Sequence, residues 1–220
     1  VKKYVEETDV YYCPNGIPLI NQLKKTNIIE TEVPQILFLS NLITSKGVFV
    51  LLKALQILHK NDVLFSCNFV GGEGDVSAET FNRQVRIMGL EKRVFYLGKK
   101  YGEDKIAIFN SSDIFVLPTY YHNECFPLVL LEASQFSMPM VATFEGAIPE
   151  IINDGVNGFL IEQKDSINLA NKLKELINNP RLREKMGAAS FLKYENKYSL
   201  EKFEQRITFI LTDILENHNE

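Results

Sequence analysis

The chain has no tryptophan and, in 220 residues, only three cysteines and three histidines, and each scarcity removes a class of function. Cys13, Cys67 and Cys125 are odd in number, widely spaced and without a C-x-x-C pair, so neither a disulfide framework nor a zinc site is expected. No His/Asp/Glu cluster has metal-ligand spacing, and no metal is predicted. Positive charge is also scarce. With 24 Lys and Arg against 28 Asp and Glu, the formal charge of -4 has the wrong sign for a nucleic-acid binder, which displaces counterions from phosphates with a basic face. No apolar run approaches the ~20 residues that span a bilayer, and the opening VKKYVEETDV lacks the apolar core of a signal peptide. Together these lacks predict a protein of the reducing cytoplasm whose ligands are small. Because the chain opens on Val1 and runs straight into DVYYCPNGIP, it reads as an excised or processed domain.

What is present is a regular alternation. Short apolar segments at 36–40, 64–70, 94–97, 114–117, 140–143 and 159–161 alternate with amphipathic stretches of helical length at 47–60, 77–88, 104–111, 127–137 and 147–153. Three more helical stretches, 166–178, 180–194 and 199–217, follow with no strand between them. The alternation predicts an α/β fold, a doubly wound parallel sheet with helices on both faces, ending in a helical tail. Residues 1–34 read as a connector with a first strand, 35–198 as the ligand-binding domain and 199–220 as a C-terminal helix. That last helix carries a broad apolar face of Leu200, Phe203, Ile207, Phe209, Ile210 and Ile214, suited to ordinary packing on the sheet or to a partner.

In an open parallel sheet, ligands bind at the carboxyl ends of the strands. Five consecutive loops on that rim are polar, glycine-containing or both: 41–47 with Asn41, Lys46 and Gly47, then 71–75 with Gly72, then 98–100 with Lys99, then 120–124, then 143–146. Polar, glycine-rich loops are ordinary in such folds, so the set carries the inference and no single loop does. The GGEGD turn has neither the G-x-G-x-x-G spacing of a dinucleotide site nor the Gly-Lys-Ser/Thr of a Walker loop. Lys46 is expected at a helix start, where a cation is disfavoured unless an anion binds beside it.

The densest segment is 121–140, YHNECFPLVLLEASQFSMPM. Pro127 suits the first turn of a helix, which places Glu124 on the preceding loop and Glu132 inside the helix. The N–H groups of Phe126, Leu128 and Val129 then point out from a helix N-terminus and make a seat for phosphate. The eight-residue step between the glutamates recurs by chance in a chain this rich in Glu; only their placement around a helix start makes them informative. Phosphate flanked by two carboxylates that accept hydrogen bonds from hydroxyls suggests a nucleotide sugar. Cys125 beside His122 is the one thiol placed near an imidazole, and nucleophilic chemistry there is disfavoured.

These segments, in this order, resemble a known family. NGIP, ILFLSNLITSKGVFVLLKAL, FVGGEGD, VFYLGKK, SSDIFVLPTYYHNECFPLVLLEASQFSMPMVAT, GAIPEII and DGVNGFLI are similar to the C-terminal, donor-binding domain of retaining GT-B glycosyltransferases of family 4, the glycosyl transferases group 1. The resemblance runs from about Asp9 to the C-terminus and implies a Rossmann-like half of a GT-B fold. It implies transfer of a hexosyl group from a nucleotide-diphosphate sugar to an acceptor such as a polysaccharide or lipid-linked glycan, with no cofactor and no metal. By the same resemblance Glu124 contacts the donor sugar, Lys46 the diphosphate and Glu132 the ribose. Backbone at Cys125, Phe126 and Leu128 holds sugar and phosphates, while the Gly98–Lys99 turn lies near the base. An N-terminal acceptor domain outside this chain is implied as a partner, and any peripheral membrane contact falls to it. The family's Gly-Arg-Leu run reads Ser40, Asn41, Leu42 here, so one cation is replaced by an amide. Two rivals stand beside this reading: a sugar-nucleotide epimerase on the same scaffold, for which no general base beyond the glutamates is apparent, and a non-catalytic nucleotide-sugar-binding module.

Overall fold

The computed structural model describes residues 10–20 and 33–217. Six strands form one parallel sheet: β1 (Gln35–Leu39), β2 (Ser66–Val70), β3 (Val94–Tyr96), β4 (Ile114–Leu117), β5 (Met140–Thr143) and β6 (Gly158–Ile161). Between and after them lie α1 (Val48–Lys60), α2 (Ala78–Ile87), α3 (Gly102–Asn110), α4 (Leu128–Gln135), α5 (Ile148–Ile151), α6 (Ser166–Asn178), α7 (Pro180–Lys197) and α8 (Leu200–Asn217). Every residue of β4 and β5 is buried, as a strand covered on both faces requires. The strand order is β3-β2-β1-β4-β5-β6, so the winding reverses between β1 and β4. In an open parallel sheet the carboxyl ends of the strands at such a reversal are where a ligand is expected.

Local sequence sets most boundaries. Ser77, Asp165 and Asn179 cap α2, α6 and α7 by accepting backbone N–H groups, and Pro180 supplies a pre-set φ at the first position of α7. Three expectations are corrected. Lys46 does not open a helix; it ends a 3-10 turn (Thr44–Lys46), and α1 begins only after Gly47 at φ +88°. A side chain at Gly47 is excluded because its Cβ would stand 2.1 Å from Pro118 O. Pro127 is the N-cap of α4 rather than a first-turn residue, and that helix stops at Gln135 because Ser137 is left-handed at φ +52°. The third concerns the tail. The inner stripe of α8 packs chiefly on α7 and on the segment around Gly16, where Leu200 N–H bonds to Ile17 O at 3.0 Å. Phe209, Leu211 and Leu215 of α8 remain exposed.

The expected first strand and connector fall largely on residues 1–9 and 21–32, outside the described residues. Within 10–20 the only pairing is a parallel bridge from Ile17 to Ser199. Tyr194 and Gln135 anchor this segment, with Tyr194 OH donating to Ile17 O at 3.0 Å and Gln135 Nε2 to Pro18 O at 2.8 Å. Among the described residues no helix is long and apolar enough to cross a membrane.

Candidate donor-binding site

The carboxyl rim of the sheet has two sides, each built by loops bonded to one another. On the β1–β2–β3 side, Asn41 Oδ1 accepts Gly72 N–H at 2.9 Å, Leu42 N–H bonds to Gly72 O at 2.7 Å, and Thr44 N–H bonds to Asp75 Oδ1 at 2.7 Å. The third loop joins through Gly71 N–H to Gly98 O at 2.9 Å, and Tyr96 OH donates to Gly71 O at 2.9 Å. Burial, helped by the Glu73 carboxylate, pushes the Tyr96 phenol up, so it stays protonated and keeps donating. The GGEGD turn is therefore a bracket between neighbouring loops. It borders a cavity of about 170 Å3 that is lined by Asn41, Gly72, Lys99, Lys100, Tyr101 and Lys105, among others.

On the β4–β5 side, Tyr120 N–H reaches Ser45 O at 2.7 Å and fastens the β4 loop to the Lys46 turn across the switch point. Lys46 Nζ then meets Glu124 Oε2 at 2.5 Å, with side-chain exposures of 17% and 9%. A pair so shielded from water keeps its geometry, because loss of either partner strands a partly desolvated charge. The ammonium also lies 4.6 Å from the centre of the Tyr121 ring. Gly146, at φ +52°, lets the β5 loop press against Glu124, since a Cβ there would stand 1.7 Å from Glu124 O. Ala147 N–H bonds to Cys125 O at 2.8 Å beside it.

The helix between these loops has no side-chain cap. Leu130 N–H bonds to Pro127 O at 3.0 Å, and the amides of Phe126, Leu128 and Val129 make no bond among the described residues. Partial positive charge is therefore available at this end of α4. Cys125 and Leu128 are exposed, while Phe126 is half-buried against Tyr198, with ring centres 5.8 Å apart. Glu132, inside α4, pairs with Lys105 of α3 at 2.7 Å.

The structure thus brings Lys46 and Glu124 into contact and sets Asn41, Gly72 and Lys99 together on the other wall. Glu132 engages Lys105 at a second position, and among the described residues Glu124 and Glu132 share no cation. Sequence reasoning did not single out Tyr121 or Lys105 as site residues. Tyr121 lies in the singled-out segment and could have been weighed there. No pattern marks Lys105, because its role exists only through the packing of α3 beside α4. Among the described residues no group of three His, Cys, Asp or Glu side chains is placed to hold a metal ion.

Known proteins share this architecture. The family model described as "Glycosyl transferases group 1" matches residues 20–192. A D-inositol 3-phosphate glycosyltransferase of Corynebacterium aurimucosum is 28% identical over 84% of this chain and 44% of its own length. The capsular polysaccharide biosynthesis glycosyltransferase CapM of Staphylococcus aureus is 38% identical over 46% of this chain and 26% of its own. Among solved structures, a glycosyltransferase from Rickettsia africae is 25% identical with a TM-score of 0.75, covering 85% of this chain and 49% of its own. The chain spans about half the length of such relatives, or less. With the family model covering most of its length, this chain belongs to the glycosyl transferases group 1 family.

Proposed function

We propose that this chain is the donor-binding half of a retaining hexosyltransferase of glycosyltransferase family 4, working on a nucleotide-diphosphate sugar. The observation that carries the reading is the Lys46–Glu124 pair, held at 2.5 Å across the point where the sheet reverses its winding. One loop delivers a cation and the other a hydroxyl-binding carboxylate to one spot, beside the uncapped start of α4. A donor placed there sets its diphosphate against Lys46 and the α4 amides and its sugar hydroxyls against Glu124. Glu132 takes the ribose, and the Gly98–Lys99 turn lies beside the base.

In the transfer, the bond between the anomeric carbon and the β-phosphate oxygen breaks and its electron pair leaves with the nucleotide. The acceptor hydroxyl forms the new bond to the anomeric carbon, and its proton passes to the departing diphosphate. Charge therefore grows on the leaving diphosphate, where Lys46 and the helix end stabilise it, and this is the ground for a transfer without a metal ion. The acceptor, a glycan such as a polysaccharide or lipid-linked saccharide, is held by an N-terminal domain outside this chain. A cytoplasmic location suits a donor made in that compartment.

Titration of UDP, GDP and ADP against the 220-residue chain tests the reading. One of the three should bind, and Lys46→Met and Glu132→Gln should each weaken that ligand by about tenfold, the scale of one charge-assisted contact. If none of the three binds, the chain is not a donor site of this kind.

A further inference from the structure

The cations around the crevice are not equivalent. Lys46 is matched by Glu124 at 2.5 Å, Lys105 by Glu132 at 2.7 Å, and Lys100 by Asp104 at 3.8 Å. Lys99 makes no ion pair among the described residues. Although exposed, its side chain does not run away from the fold: a Cβ built on Gly72 would stand 2.5 Å from Lys99 Cε and 3.5 Å from Nζ. The same Cβ would stand 3.1 Å from Asn41 Oδ1, the atom that accepts Gly72 N–H. Lys99 and the Asn41 amide therefore flank one patch of bare backbone inside the cavity between the β1, β2 and β3 loops. With its oxygen engaged, Asn41 has its NH2 group for a ligand oxygen.

We propose that the Lys99 ammonium binds the diphosphate of the donor, as the cation lining this cavity that makes no ion pair among the described residues. The inference rests on the nucleotide-sugar reading above and adds to it a phosphate role for a side chain whose backbone turn lies beside the base. Its physical ground is charge balance. Lys46 and Lys105 each lose the attraction of a glutamate if they turn wholly to a phosphate, whereas Lys99 loses only hydration. An ammonium is a compact charge with three rotatable donors, suited to a diphosphate that approaches over a glycine.

The test uses Lys99→Met, Lys99→Gln and Lys99→Arg with whichever of UDP, GDP and ADP binds the wild type, at low and at high salt. Lys99 is exposed, so none of the three disturbs the core. Loss of the charge in Lys99→Met and Lys99→Gln should weaken binding by about tenfold at low salt and flatten its salt dependence, while Lys99→Arg keeps most of the affinity. Wild-type affinity in Lys99→Met, or in the uncharged but hydrogen-bonding Lys99→Gln, overturns the proposal and leaves the donor reading standing. Failure of the wild type to bind any of the three removes both.

Discussion

At the amino ends of the strands a cavity of about 640 Å3 opens between Pro34, Val63, Ile177 and Arg183, whereas the one at the carboxyl rim, over Asn41, Gly72 and Lys99, measures about 170 Å3. The larger space is the less suited to chemistry. Its arginine serves the fold: Arg183 Nη1 donates to the carbonyls of Leu176 and Ile177, both at 2.8 Å, and so closes the end of α6. At the rim the order of use is reversed. Glycines at 47, 71 and 146 give up side chains to bring loops into contact, and the lysines among them meet carboxylates or face the cavity. What separates the two ends is the presence of bare backbone and fixed charge where successive loops converge, and volume is a poor guide to either.

The comparison breaks first at Gly146. Alanine there has to place a Cβ 1.7 Å from Glu124 O in a left-handed conformation, so Gly146→Ala should cost about 3 kcal/mol or more and displace Glu124. Denaturant unfolding beside nucleotide titration reads both effects, and an unchanged midpoint would show that the loop contact is not tight. Next is Glu124→Gln, which releases Lys46 from its carboxylate. It should raise affinity for the free nucleoside diphosphate by about threefold and lower affinity for the nucleotide sugar, since the sugar loses its acceptor. A parallel loss of both ligands would place Glu124 on the phosphate side. At the opposite end, Arg183→Met should lower stability by about 1–2 kcal/mol, the scale of a charged hydrogen bond, with nucleotide affinity untouched. Any change in affinity there would blur the distinction between the two ends.

A separate prediction concerns Lys193 on α7, whose Nζ donates to Asn153 Oδ1 at 2.7 Å. Burial first, and the neighbouring Lys197 charge second, push it down to about 8, with Glu150 opposing. The unfolded chain holds this proton up to the ordinary value of 10.5 while the folded chain releases it near 8, so stability rises with pH between the two and the burial penalty is fully present below about 8. Lys193→Met should flatten that rise; an equal rise in both proteins would mean that other groups cause it.

The strands and most helices were legible in the sequence because each is a local matter. Apolar runs such as Ile114–Leu117 bury both faces of a strand, and Ser77, Asp165 and Asn179 stop the preceding loops with side-chain oxygens. The sequence around Lys46 suits a helix start, yet Gly47 closes a separate 3-10 turn in the left-handed region, and the backbone of Pro118, remote in the chain, lies where a side chain would stand. The tail helix reads as a surface for the sheet or for a partner, and in the fold it lies against α7 with its apolar stripe on the segment around Gly16.

By itself the sequence determined the alternation of strand and helix, the glycine-bearing rim and the residue types gathered there, because periodicity and turn chemistry act over a few neighbouring residues. Which lysine faces which glutamate was decided only by the tertiary structure. Lys46 and Glu124, or Lys105 and Glu132, come from separate loops or helices, and only the strand order β3-β2-β1-β4-β5-β6 brings the first pair to the switch point. Among the described residues the same packing leaves Lys99 without a carboxylate over the bare backbone of Gly72, since whether a charge is matched depends on which distant loop lies opposite it.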